Sequence, residues 1–73
     1  MKYCIKYVIV DYPMGASFPY PYPQAGYNLT KEEADVLVEK LNHEDFLRVN
    51  KIISEGKSTS IFYDYFATEV KTK

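Results

Sequence analysis

The chain has 73 residues, of which 47% are hydrophobic and 16% aromatic, with a formal net charge of −1. This length predicts a single domain over residues 1–73, and the hydrophobic content excludes intrinsic disorder. The balanced charge argues against a nucleic-acid partner, because nucleic-acid-binding domains usually carry a basic excess. The single cysteine excludes an internal disulfide. A chain with a single cysteine suits a reducing compartment. The sequence also shows no secretory pattern and no membrane-spanning run, so we predict a cytoplasmic protein without membrane contact.

The first predicted element is a β-strand from about Tyr3 to Tyr12, rich in β-branched and aromatic residues. Side chains alternate along a strand, so Tyr7 lies on one face and Lys6 on the other. Pro13 has no amide donor and is expected to end the strand.

A long Tyr/Pro-rich loop is predicted over residues 13–28, with the sequence FPYPYP from Phe18 to Pro23. Proline fixes its own φ and pushes the preceding residue towards extended geometry, so this stretch is stiff. Its missing amide donors are expected to hinder regular strand pairing.

Rigid display of tyrosine favours binding, because large side chains then contact a partner at low entropic cost. We therefore predict a partner-binding site in the loop. Its residues are Phe18, Tyr20, Tyr22 and Tyr27. The alternative interpretation is that these rings pack inward and cover a small core.

Two helices are predicted after the loop. Thr30 and Glu33 have the spacing of a capping box, and apolar residues follow at helical intervals. A second helix is predicted to begin at an Asn42 cap and to end at Gly56. In this helix Phe46, Val49 and Ile53 would share one face. The alternative for residues 44–55 is a strand.

The last predicted element is a strand from about Ser60 to Val70. The predicted fold class is α+β, in the order β-loop-α-α-β, with a two-stranded antiparallel sheet packed on helices. Two strands alone are too few for a stable sheet. We expect a short third strand from the loop, or a homodimer formed through the open sheet edge.

Little in the sequence points to catalysis. His43 and Cys4 are the only residues of their types, and neither has partners at the spacing that nucleophilic catalysis or a zinc site needs. We therefore predict a protein that is not an enzyme, with no catalytic residue, no cofactor and no metal site.

The predicted function is a small protein-interaction module that binds a protein partner through the rigid Tyr/Pro loop. An inhibitor or adaptor encoded by a virus or a mobile element would suit this size. The alternative is single-stranded nucleic-acid binding on a sheet face, with bases stacked on tyrosine and phosphates contacted by lysine. Its residues would be Tyr7, Tyr63, Tyr65 and Lys6.

Overall fold

A computed structural model describes residues 1–11 and 14–71. It confirms a small α+β fold with a helix and an antiparallel sheet. The predicted end of the first strand at Tyr12 and Pro13 lies outside the described residues. The elements are β1 (Tyr3–Asp11), β2 (Gly15–Ala16), β3 (Tyr20–Pro21), a 3-10 helix (Pro23–Ala25), α1 (Lys31–Ser54) and β4 (Ile61–Glu69).

Strand β1 is the centre of the sheet. On one side β4 pairs with its whole length, from Tyr3 opposite Glu69 to Asp11 opposite Ile61. On the other side β2 and β3 pair with β1, and Leu29 bridges to Tyr3. The sheet is therefore wider than the predicted two strands, and the loop supplies the extra pairing.

The alternation of proline with tyrosine explains why the loop pairs with β1 despite its missing donors. Tyr20 lies opposite Tyr7, and the Tyr22 amide donates to the Ile5 carbonyl at 3.0 Å. Amides alternate in direction along an extended chain, so the intervening prolines occupy the positions that face away from β1. The stretch can pair inward, while its outer edge has no donors with which to recruit another strand.

Helix α1 begins and ends as its local sequence predicts. The Thr30 hydroxyl accepts the Glu33 amide at 3.1 Å, and the Glu33 carboxylate accepts the Thr30 amide at 3.0 Å, which completes the capping box. Gly56 follows the helix at φ 78°, and the Lys57 amide donates to the Ile52 carbonyl. A glycine at this position permits the left-handed turn that ends a helix.

The predicted division into two helices is wrong. Helix α1 runs without a break through Asn42, and residues 44–54 are helical. The three residues expected to share a face differ in burial, since Val49 is buried but Phe46 and Ile53 are 59% and 58% exposed. A continuous helix places Val49 on the same face as Leu41, eight residues earlier, while Phe46 points away from the sheet.

The core lies between the sheet and the first half of α1. Its buried members are Ile5 from β1 and Ala34 and Leu41 from the helix. Tyr65 and Ala67 of β4 pack against them, because the register places odd-numbered residues of both long strands on the helix side. One helix covers only part of this face.

Candidate functional site

The second half of α1 follows the outer edge of β4. The Tyr65 amide donates to the Asn42 side-chain oxygen at 2.9 Å, and the Asn42 amide group donates to the Tyr65 carbonyl at 3.1 Å. One helical turn later, Asp45 accepts the Tyr63 amide at 3.1 Å. These polar side chains satisfy backbone groups that an edge strand otherwise leaves unpaired.

Arg48 continues the same series. Its guanidinium donates to the Ile61 carbonyl at 3.0 Å and forms an ion pair with Asp45 at 2.8 Å. It also lies over the Tyr63 ring, 5.2 Å from the ring centroid, within the range of a cation–π contact. Because the helix is held at the strand edge here, it does not cover the sheet surface around Tyr7 and Tyr63.

Five tyrosines from three segments meet on this uncovered surface, which we call the tyrosine site. Tyr7 is central, with ring centroids of three others at 5.5 to 6.0 Å, in tilted or edge-on arrangements that aromatic pairs prefer. The Tyr22 and Tyr65 rings meet edge-on at 5.7 Å. The tyrosine site consists of Tyr7, Tyr20, Tyr22, Tyr63 and Tyr65.

The tyrosine site contains two adjoining open depressions. One, of about 290 Å³, lies between the sheet and the loop, where Pro21, Pro23 and Gln24 line its outer side. The other, of about 300 Å³, lies between the sheet and the helix, where Glu44 and Arg48 line it. Both share Tyr63 and Tyr65, so they form one surface. Depressions this small and open suit side chains of a partner better than an enclosed cofactor.

The surroundings of Tyr65 in the tyrosine site raise the pKa of its phenol. Burial raises the pKa of Tyr65 above its usual value, because the phenolate form is poorly solvated there. The neighbouring Tyr22, Asp45, Tyr7 and Tyr63 raise this pKa further, in that order. The Tyr65 phenol is therefore neutral at physiological pH and offers the site a hydroxyl rather than a negative charge.

The predicted loop residues do not all lie together in the structure. Tyr20 and Tyr22 belong to the tyrosine site. Phe18 is 89% exposed and lies where the register between the loop and β1 shifts by one residue. Tyr27 lies on the opposite face of the sheet, beside Cys4 and Lys6.

The predicted nucleic-acid residues divide in the same way. Tyr7, Tyr63 and Tyr65 lie together in the tyrosine site. Lys6 lies on the other face of the sheet, because side chains alternate along β1. The structure thus joins the tyrosines of both predicted sites and separates them from the predicted lysine.

Sequence reasoning missed the polar residues that shape the site. Asn42 is typical of a helix N-cap, so it indicated a helix boundary. In the structure, Asn42, Asp45 and Arg48 recur every third residue on one face of α1 and pair with every second residue of β4. This regular spacing was the available signal.

His43 and Cys4 do not form a joint site. His43 is exposed on α1 and stacks on Phe46 with ring centroids 6.4 Å apart, whereas Cys4 is buried on the side of the sheet away from the helix. Within residues 1–11 and 14–71, no group of three or more His, Cys, Asp or Glu side chains could hold a metal ion.

No protein-family model, curated protein or solved structure matches this chain. In the part of the chain that the structure describes, no helix has both the length and the apolar character needed to cross a membrane.

Proposed function

We propose that the protein is a non-enzymatic interaction module that binds an extended segment of a protein partner in the tyrosine site. The observation that carries this proposal is the meeting of five tyrosines on a surface that the helix leaves uncovered. Tyrosine is enriched in protein-binding surfaces because its ring contributes apolar contact and its hydroxyl a hydrogen bond.

The form of the surface supports an extended ligand. Two adjoining depressions on either side of Tyr63 and Tyr65 can accept two side chains of one segment. Grooves lined by aromatic rings bind proline-rich or extended peptides in several protein families, and apolar or proline side chains are therefore the expected contacts. Gln24, Glu44 and Arg48 supply polar groups around the rings.

The loop is suited to this role before any partner binds. Tyr20 and Tyr22 are held by pairing with β1 and by the adjacent prolines, so little conformational entropy remains to be lost on binding. An inhibitor or adaptor needs only such a binding surface. A viral or mobile-element origin, with action in the cytoplasm, is part of the same proposal and rests on size and composition alone.

Stacking of single-stranded nucleic acid on Tyr7, Tyr63 and Tyr65 is the alternative function. It has less support, because the predicted phosphate contact Lys6 is on the other face of the sheet. Arg48 is the cation beside these rings, and it is already paired with Asp45. Nucleic-acid binding would weaken steeply as salt is raised, whereas binding of an apolar peptide segment would change little.

Two tyrosines provide a matched test of the proposal. Tyr20 in the site and Tyr27 on the other face are 46% and 47% exposed, so their replacement by alanine removes similar exposed area. Each immobilised variant and the wild type would capture proteins from a lysate of the source cells. The captured protein would then be purified and its dissociation constant measured, with helical circular dichroism as the check on folding.

Tyr20→Ala is expected to weaken binding at least about tenfold, which corresponds to ~1.4 kcal/mol. Tyr27→Ala is expected to leave the affinity within about twofold of wild type, since its ring is outside the site. Equal weakening by both variants, or weakening by Tyr27→Ala alone, would contradict the proposal. Capture of RNA or DNA in a salt-dependent manner would support the alternative instead.

A further inference from the structure

On the face of the sheet away from α1, the side chains of β1 and β4 are half-buried or exposed, except for Cys4, which is buried. The even-numbered residues of the two strands lie on this face, and the buried cluster of Ile5, Ala34 and Leu41 lies on the other side of the sheet. An antiparallel sheet with one solvated face usually carries polar side chains there. Here four positions on the two strands carry apolar side chains, and two carry charges of opposite sign. The apolar residues are Val8, Val10, Phe62 and Phe66, and the charged residues are Lys6 and Asp64.

Four of these side chains are apolar and lie at neighbouring positions of the two strands. Val10 lies directly opposite Phe62 in the β1–β4 register, Val8 is beside Val10 on its own strand, and Phe66 lies opposite Lys6. Phe62 is 37% exposed although it lies in a hydrogen-bonded strand pair, at the second residue of β4. Apolar side chains that lie together and stay partly exposed mark an interaction site more often than scattered exposed residues do.

The size and shape of the molecule differ from those of a compact monomer. Its accessible surface is 5670 Å², roughly 1,000 Å² more than the ~4,700 Å² expected for a compact monomer of 8.5 kDa. Its radius of gyration is 13.9 Å, against about 11 Å for a compact chain of this length. The molecule as a whole is therefore less compact than a typical monomer of its length.

The molecule is also thin, with principal extents of 48 × 23 × 15 Å. The described residues form one sheet layer, one α-helix and a short 3-10 helix. Sheets that pack face to face lie ~10 Å apart and form a core from their inner side chains. A second sheet layer on the open face would give the chain the core that one helix cannot provide.

Charge on the open face identifies a suitable occupant. Lys6 and Asp64 are of opposite sign and lie on adjacent strands, and neither forms an ion pair within the described residues. In a two-fold dimer the same patch faces itself, so Lys6 of one copy can pair with Asp64 of the other, twice. The face is therefore complementary to itself in both charge and apolar character.

Edge-to-edge association, which the sequence predicted, has only part of the β4 edge to use. Asn42, Asp45 and Arg48 hydrogen bond to the outer edge of β4 over Ile61–Tyr65. The other edge of β1 pairs with the loop, whose prolines lack outward donors. This favours association through the face of the sheet.

We propose that the protein forms a two-fold homodimer by packing the open faces of two sheets against each other, with Lys6 and Asp64 paired across the interface. The tyrosine sites lie on the outer sides of this dimer, on the faces that carry α1. The dimer would therefore present two tyrosine sites, one on each side.

Sedimentation velocity over a range of protein concentrations tests the dimer. Wild type is expected to sediment as a dimer at about 100 μM, and Phe62→Lys as a monomer, because a buried unpaired lysine is costly. The matched control is Leu47→Lys. Leu47 is 52% exposed on the outer face of α1, so its replacement is expected to preserve the dimer.

Charge reversal tests the contact itself. Lys6→Glu and Asp64→Lys are each expected to weaken dimerisation by about tenfold, because each places like charges opposite one another. The double variant K6E/D64K is expected to restore it. Lys6 and Asp64 are partly or fully exposed to solvent in the monomer, so their replacement should not disturb the fold. Circular dichroism should therefore show an intact helix in all three variants.

A wild type that stays monomeric at every concentration would overturn the proposal. A dimer lost in Leu47→Lys but kept in Phe62→Lys would also overturn it, and would assign the interface to the helix. If both single charge variants and the double variant dimerise equally, the Lys6–Asp64 pairing is wrong.

Discussion

The two faces of the sheet differ in what covers them and in what they expose. On the helix side, Ile5 and Leu41 form a core with the first half of α1, and tyrosines gather where the helix moves to the strand edge. On the open side, no helix of the described residues lies above Val8 and Phe66, which are half-buried. One face is thus partly covered by a helix and rich in tyrosine, and the other combines apolar side chains with the charges of Lys6 and Asp64.

This difference shows how a chain of 73 residues divides its surface. A single helix cannot bury both faces, so each uncovered area carries side chains suited to a different kind of contact. Mainly apolar surface resembles the interior of homodimers, whereas tyrosine-rich surface suits a partner protein that also exists free in solution. We therefore propose self-association through the open face and partner binding at the tyrosine site.

The largest expected effect comes from the covered part of the helix-side face. Ile5 is fully buried, and Ile5→Ala should cost about 2–5 kcal/mol in the free energy of unfolding because it leaves a cavity. That is a large share of the ~4–11 kcal/mol expected for a domain of this length. Urea unfolding of dilute protein measures it.

Val8→Ala on the open face is the control for this comparison. Val8 is only half-buried, so we expect a loss of roughly 1 kcal/mol in dilute, monomeric protein. A Val8→Ala loss as large as that of Ile5→Ala, measured where the protein is monomeric, would mean that the open face is covered within one chain.

The next largest expected change in stability comes from Asp45, which binds the edge of β4 at the boundary between the two faces. Asp45→Ala removes the acceptor of the Tyr63 amide and the ion-pair partner of Arg48, and should cost about 1–3 kcal/mol. It should also expose strand edge and promote association by edge pairing, detectable by light scattering. Asp35→Ala, on the exposed side of the same helix, is expected to change stability by less than about 0.5 kcal/mol.

The sequence was sufficient for the elements whose signals are local. The alternating pattern predicted β1 and β4, the Thr30–Glu33 spacing predicted the helix start, and Gly56 predicted its end. Each of these depends on residues close together in the chain. Conformational preference and capping chemistry act at that range, so they can be read without knowledge of the fold.

The features that depend on distant contacts could not be predicted in this way. Asn42 has the chemistry of a helix cap, but its partner is the backbone of Tyr65, which is 23 residues away. The sequence predicted Tyr20 and Tyr22 for one site and Tyr7 and Tyr63 for another. Only the pairing of the loop with β1 brings these four rings onto one face.

The smallest expected effect is a change in the alkaline stability of the helix-side face. Because the pKa of Tyr65 is raised in the native state, the unfolded chain loses this proton first as pH increases. The stabilisation is present below the usual tyrosine pKa of about 10 and is lost as pH rises through the native value. In Tyr65→Phe, the free energy of unfolding should therefore fall less steeply than in wild type as pH rises above about 10. Urea unfolding at a series of alkaline pH values measures this, and an unchanged pH dependence would mean that the Tyr65 pKa is not raised.

The central claim is that a partner binds the tyrosine site and not the open face. The most direct measurement is an NMR titration of protein labelled with ¹³C in its tyrosine rings, using the purified partner captured by wild type. We predict large shifts for Tyr7, Tyr20, Tyr22, Tyr63 and Tyr65, with Tyr27 unchanged. Shifts confined to Tyr27, with the five site tyrosines unaffected, would contradict the claim and would place the partner on the opposite face of the sheet.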